Sequence, residues 1–344
     1  MTMRHRRRGL TLVEGLVGIG AAALLAATVL PLLAAQSCDS MLRTSMTNLQ
    51  RLGVAHGMYA NDWNDRQFTL VRADLGAYDD CCVYLDHPSV VLGADCDGTV
   101  WQISLDGPSC GPNCGVIQPL NFSGAFAYSG AFRLPNARGF HEYVGGRFFS
   151  PTFYAPKDAV YAEVQPLFDV DCEYDPAGND LVFRSSYALS PAAMFHPDVF
   201  RRASKGGYQA PTSFDDGFAS PTVSQALYPD LKTRMIEHDW LNGRPPGVST
   251  NPCFEPPVPY FFNHGFMSTP ATLFFDGHVD LLGIQRAILD DDIVMHQSGE
   301  GLWSRDTPFG AGGYLSECAF DFAETSIHIL TTEGIRGRDR LADP

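Results

Sequence analysis

Charge is scarce in this chain. Charged residues make up 18% of its 344 positions, below the ~25% usual in soluble domains. Positive charge is scarcest: 24 Lys and Arg stand against 39 Asp and Glu, a net charge of −15. A chain with so little cationic surface is not a general nucleic-acid binder, because phosphate neutralisation needs clustered Lys and Arg. Several chemical signatures are missing as well. There is no Gly-x-x-x-x-Gly-Lys phosphate loop, no His-Glu-x-x-His zinc helix and no Cys-x-x-Cys knuckle. Without those signatures the chain reads as a non-enzyme. No internal repeat is found. A hydrophobic share of 45%, with 33 Gly and 24 Pro, excludes both a disordered tail and a coiled coil.

What is present begins at the N-terminus. Arg4, Arg6, Arg7 and Arg8 fall in the first nine residues, so the remainder is more acidic than the whole. From Gly15 to Ala35 the chain carries 21 consecutive uncharged, mostly apolar residues. As a helix that run would be about 31 Å long, close to the ~30 Å hydrocarbon core. Basic residues precede it and acidic ones follow, which puts the N-terminus in the cytoplasm. A cleaved secretory signal, with Ala34-Ala35-Gln36 as its end, is the plainer alternative. Glu14 argues against it, because a carboxylate just inside an apolar run is costly and is retained for a purpose.

The residues Arg7-Arg8-Gly9-Leu10-Thr11-Leu12-Val13-Glu14 resemble the type IV prepilin leader. The resemblance implies cleavage between Gly9 and Leu10 by a prepilin peptidase, and N-methylation of Leu10. It makes Glu14 the fifth mature residue, where pilin-like subunits carry their assembly carboxylate, and Pro31 the twenty-second, where a helix kink is common. Leu10 stands where the family usually has Phe. No basic residue lies between Arg8 and Arg43. Glu14 therefore finds its nearest cation in an N-terminal amine, its own or that of a neighbouring subunit.

Beyond the apolar run, Leu42, Met46, Leu49, Leu52, Ala55 and Met58 recur at helical spacing, with Asn48, Gln50, Arg51 and His56 on other faces. The pattern stops at Asn61-Asp62-Trp63-Asn64-Asp65. The expected organisation is therefore a leader over 1–9, a membrane-spanning half-helix over 10–35, its exposed half over 36–61, and a β-rich, loop-rich extracytoplasmic domain over 62–344. The fold class is α+β, a long N-terminal helix packed on a β-rich globular domain in the pilin-like manner. Expected strands include 100–105, 158–164, 181–189, 272–275 and 278–282, the last two joined by Asp276-Gly277, the strongest short hairpin signal. A short helix is expected at 284–289, and loops at 106–119, 204–222 and 243–259.

The resemblance extends into this body. Asn48-Leu49-Gln50-Arg51-Leu52-Gly53 with Tyr59-Ala60-Asn61-Asp62, and Ser186-Tyr187-Ala188-Leu189, are similar to segments of a large bacterial group of pseudopilin-like proteins. His264 followed by Asp276-Gly277 resembles that group's C-terminal His…Asp-Gly motif, at a spacing of eleven residues where the group has nine.

Nine cysteines in a body outside the cytoplasm permit disulfides. Cys110–Cys114 would close a local loop, and Cys81 or Cys82 is within reach of Cys96. A zinc site among these five is the rival, opposed by the absence of a Cys-x-x-Cys knuckle. Asp95-Cys96-Asp97-Gly98 has a calcium-loop flavour through Asp95 and Asp97 but lacks the further ligands of an EF-hand. A solvated turn is the favoured reading, so no cofactor is expected. Asp290-Asp291-Asp292 reads as an exposed acidic patch.

The resemblance implies a structural subunit, a pseudopilin or minor pilin of a type II secretion or type IV pilus-like assembly. It would sit in the cytoplasmic membrane by a single pass, with the body periplasmic or extracellular, and contact other pilin-like subunits through its N-terminal helix. The alternative is a membrane-tethered binding protein that does not polymerise. The aromatic share of 12% suits glycan contact as well as it suits an ordinary core.

Overall fold

A computed structural model describes residues 39–70, 89–104, 117–123, 127–182, 185–237, 268–314 and 325–342. The first helix, α1, covers 39–62 within these residues. Leu49, Leu52 and Ala55 of the apolar stripe are buried, and Leu42 and Met46 pack against the same core. Met58, the last of the stripe, is exposed instead. Asn48 and His56, expected on other faces, are buried with the stripe. The inner face is therefore wider than the apolar residues alone indicate.

Among the described residues six short strands form two antiparallel sheets. β1 (Ser89–Ala94) and β2 (Val100–Ser104) make a hairpin with a bulge between Val91 and Gly93. Four strands make the second sheet in the order β3-β4-β5-β6: β3 (Tyr187–Leu189), β4 (Thr233–Glu237), β5 (Ala271–Phe274) and β6 (Val279–Leu281). α1 lies against this sheet. A Cβ on Gly53 would meet Leu273 Cδ1 of β5 at 2.9 Å, so helix and strand approach as closely as a glycine allows. The shorter helices are α2 (His141–Val144), α3 (Ala159–Val164) and α4 (Pro191–Met194), and α5 (Ile284–Ser298) follows the sheet. Among the other described residues are 3-10 turns such as Pro151–Phe153, Pro176–Leu181 and Pro211–Ser213, each opened by proline.

The architecture corrects the expected one. It is α+β, but among the described residues no helix is long and apolar enough to cross a membrane. The membrane-spanning half-helix over 10–35 lies outside the described residues and forms no part of the observed fold. Nor are the described residues of the body β-rich. The segment 158–164, with its alternating apolar residues, is a helix from Ala159, because Asp158 caps it by accepting from the Val160 N–H at 3.1 Å. Among the described residues of 181–189 only the last three are strand. Upstream, the Asp175 side chain accepts from the Ala177 N–H and Pro176 starts a 3-10 turn. The expected short helix at 284–289 runs on to Ser298 and absorbs all three aspartates. The segment 204–222 is irregular as expected, but it buries Phe218 in the main core.

One disulfide is described, Cys96–Cys172, with Cα atoms 5.0 Å apart. It joins the β1–β2 turn to a partner neither Cys81 nor Cys82 provides, and it takes Cys96 out of any zinc group. The other seven cysteines lie outside the described residues. Beside the bridge, Tyr174 N–H donates to Ala94 O and Glu173 Oε2 accepts from Ala94 N–H, so segment 172–174 is stitched to the hairpin.

Candidate functional site

Gly9, Leu10, Glu14, Pro31 and His264 all lie outside the described residues. What is described is the part of the chain to which the N-terminal segment connects, and that part is firmly held. Ser45 Oγ donates to Glu237 Oε1 of β4 and is 2.9 Å from Tyr187 Oη of β3. Asn48 Nδ2 donates to the carbonyls of Pro151 and Tyr154, both at 3.1 Å. His56 stacks on Phe140 with ring centroids 4.4 Å apart. The opposite face is open: Asp39, Ser40, Arg43, Thr44, Thr47 and Arg51 give way to exposed Val54 and Met58.

Glu237 is 2% exposed, and its second oxygen accepts from the Ala271 N–H at 2.8 Å. Burial pushes its carboxyl up to about 7, and the bonds from Ser45 and Ala271 only partly oppose the shift. The neighbouring Tyr187 is driven above the ordinary tyrosine range by burial and then by the Glu237 charge. The junction between α1 and the sheet is therefore a buried acid with no basic group in hydrogen-bonding contact among the described residues.

Asp276 and Gly277 form the β5–β6 turn as expected. Gly277 takes φ +92° and its N–H donates to Phe274 O at 3.0 Å. Asp276 Oδ1 accepts from the His278 N–H and lies 2.6 Å from His278 Nδ1, and the imidazole stacks on Phe274 at 4.3 Å. These contacts account for both residues as hairpin chemistry. Asp95 likewise serves a turn. Its Oδ1 accepts from the Asp97 and Thr99 N–H groups and its Oδ2 from Trp101 Nε1. The Trp101 bond leads the lowering of its carboxyl. Among the described residues no group of three or more His, Cys, Asp or Glu is placed to hold a metal.

The sequence reading missed the buried ionic groups. Lys232 Nζ, fully buried, donates to Ser190 Oγ (2.9 Å), Thr331 Oγ1 (2.8 Å) and Asp339 Oδ2 (2.7 Å). Asp339 also accepts from Thr233 N–H and Oγ1, from Thr331 Oγ1 and from the His328 N–H. Burial lowers Lys232. Burial alone would raise Asp339, but Lys232 and the hydroxyl donors hold it below the usual carboxylate range. Burial pushes the His328 imidazole down to about 3, and Lys232 adds to the effect. A Ser–Lys pair at 2.9 Å suits nucleophilic chemistry, but Ser190 is 1% exposed and its hydroxyl donates to His328 O. The cluster is a clamp that fixes segment 325–342 to β4.

Asp290 and Asp291, expected in an exposed patch, are buried. Asp290 takes Arg286 Nε (2.7 Å) and the Leu341 N–H (2.8 Å); Asp291 takes the Leu302 N–H (2.6 Å) and Arg305 Nη2 (2.5 Å). Only Asp292 of the three faces solvent. Comparison with family models, with curated proteins and with solved structures finds no match to this chain.

Proposed function

We propose that this chain is a pilin-like structural subunit, a pseudopilin or minor pilin of a type II secretion or type IV pilus-like assembly. The observation that carries the reading is the run from Arg7 to Glu14, with Gly9 before the apolar segment and Glu14 five residues after it. A prepilin peptidase would cut after Gly9 and methylate Leu10. The uncharged segment 15–35 would hold the protein in the cytoplasmic membrane with residue 1 inside and the body outside. The acidic body takes no part in binding nucleic acid, and the role is structural rather than enzymatic. The Cys96–Cys172 bridge suits an oxidising compartment.

Glu14 supplies the assembly interaction. A carboxylate in lipid is expensive until it is paired, and the pairing cation here is the N-terminal amine of a neighbouring subunit. A force on the N-terminal segment would reach the body through the contacts of Ser45, Asn48 and Gly53 with the sheet and its flanking turns. The test is Glu14→Ala in membranes, read by cross-linking. The variant should be processed and inserted normally while its oligomer ladder shrinks. An unchanged ladder would remove the assembly role and favour the tethered, non-polymerising binding protein.

A further inference from the structure

The surface at the C-terminal end of α1 carries an aromatic group that packing of the core does not require. Trp63 follows the last helical residue and is 47% exposed. It is nonetheless rigidly held. Its backbone N–H donates to Tyr59 O at 3.0 Å, its ring stacks on Tyr59 with centroids 5.8 Å apart, and its Nε1–H donates to Tyr143 Oη at 3.2 Å. Tyr143 in turn donates to Asp62 Oδ2 at 3.2 Å and meets Tyr59 edge-on at 5.5 Å. Tyr59 is backed by Phe68, and Phe68 by Phe140 at 4.9 Å. A continuous aromatic column therefore runs from the core to one exposed ring.

The chain then reverses through Asn64 and Asp65, consecutive residues at φ +54° and +67°, a conformation that Asn and Asp tolerate better than most side chains. This turn is pinned. Asp65 O accepts from the Val223 N–H, and Asp65 Oδ2 accepts from the Ser224 N–H, both at 3.0 Å. Asn61, Asp62 and Asn64 flank Trp63 along the chain, and Glu142 is next to Tyr143; all four are exposed. Among the described residues Asn61, Asn64 and Glu142 have no hydrogen-bond or ion-pair partner, and Asp62 has one oxygen free.

We propose that Trp63 is a stacking platform for a hexopyranose ring of a neutral oligosaccharide, with Asn61, Asp62 and Asn64 taking up its hydroxyls. The ring chemistry follows from the surroundings. A flat exposed indole, fixed before any ligand arrives, suits a rigid ligand with an apolar C–H face at little ordering cost. The flanking carboxylates repel phosphate, which excludes a stacked nucleotide. The neighbouring side chains are polar rather than apolar, which disfavours an extended protein interface. A quaternary ammonium group would need aromatic walls around it, whereas the indole and Tyr143 are joined edge to edge by their own hydrogen bond. The platform is independent of whether the subunit polymerises.

The test uses the full-length protein in a detergent without a sugar headgroup, titrated with cellohexaose and chitohexaose. Saturation-transfer NMR reads contact, and tryptophan fluorescence reads occupancy. Saturable binding of at least one oligosaccharide is expected. Trp63→Ala should weaken it by about tenfold or more, an affinity loss of about 1.4 kcal/mol. Trp63→Phe should retain part of it. Should Trp63→Ala melt early, Asn61→Ala and Asn64→Gly, which touch no member of the aromatic column and keep the turn's positive φ accessible, should each weaken binding without lowering the melting temperature. Absence of saturable binding to both sugars, equal binding by wild type and all variants, or preferential binding of choline in the same titration would overturn the proposal.

Discussion

Glu237 joins α1 to the sheet, and its protonation should be visible in stability. Its carboxyl rises from an ordinary 4.5 to about 7, a difference of about 2.5 units, or about 3 kcal/mol at 1.36 kcal/mol per unit. The folded state binds this proton more tightly than the unfolded one. The group therefore costs nothing below pH 4.5, and its cost grows from 4.5 to 7 and is full above 7. Stability contributed by Glu237 falls as pH rises. The buried imidazoles His56 and His328 act in the opposite sense, since burial lowers both. A single pH curve therefore mixes the two. Glu237→Gln separates them, because the amide does not titrate while Ser45 can still donate to its oxygen. Urea unfolding at pH 5 and pH 7.5 should show wild type losing up to about 3 kcal/mol more than Glu237→Gln between the two. A wild-type-to-variant difference that is the same at both pH values would refute the assignment.

Other outcomes follow from the packing. Asp339→Ala leaves the Lys232 ammonium buried without its counter-charge and should cost about 3–5 kcal/mol in denaturant titration. The double replacement Lys232→Met with Asp339→Leu should recover much of that. Non-reducing peptide mapping should recover Cys96 joined to Cys172, and replacing both by Ser should lower stability by about 4 kcal/mol for a loop closed over 76 residues. Gly53→Val should drive a side chain into Leu273 and cost about 1–3 kcal/mol, read as a lower melting temperature.

The sequence exposed most clearly those elements whose signal is local. The apolar residues from Leu42 to Ala55 set the phase of α1, and Asp276-Gly277 sets the β5–β6 turn, because periodicity and turn chemistry are decided by residues near one another. Strand 158–164 failed for an equally local reason: the capping side chain of Asp158 outweighs an alternating pattern too short to find a partner strand. The extent of α5 was hidden by its three aspartates. Two of them are buried only because Arg286, Arg305 and the backbone of Leu302 and Leu341 come to meet them, and three of those four partners lie beyond the helix. Lys232 and Asp339 are 107 residues apart, and nothing in either neighbourhood announces the other. His56 looked like a solvated helix residue, and its burial depends on Phe140, which the sequence places in a distant segment. At the candidate sites, turn roles for Asp95 and Asp276 were legible, whereas the Trp63 platform depends on Tyr143 and was not.

The central claim concerns processing at the N-terminus, and the intact mass of the protein extracted from membranes tests it most directly. The account predicts a mature chain beginning at Leu10 and carrying one added methyl group. A chain that retains Met1, or one that begins after Ala35, would contradict it.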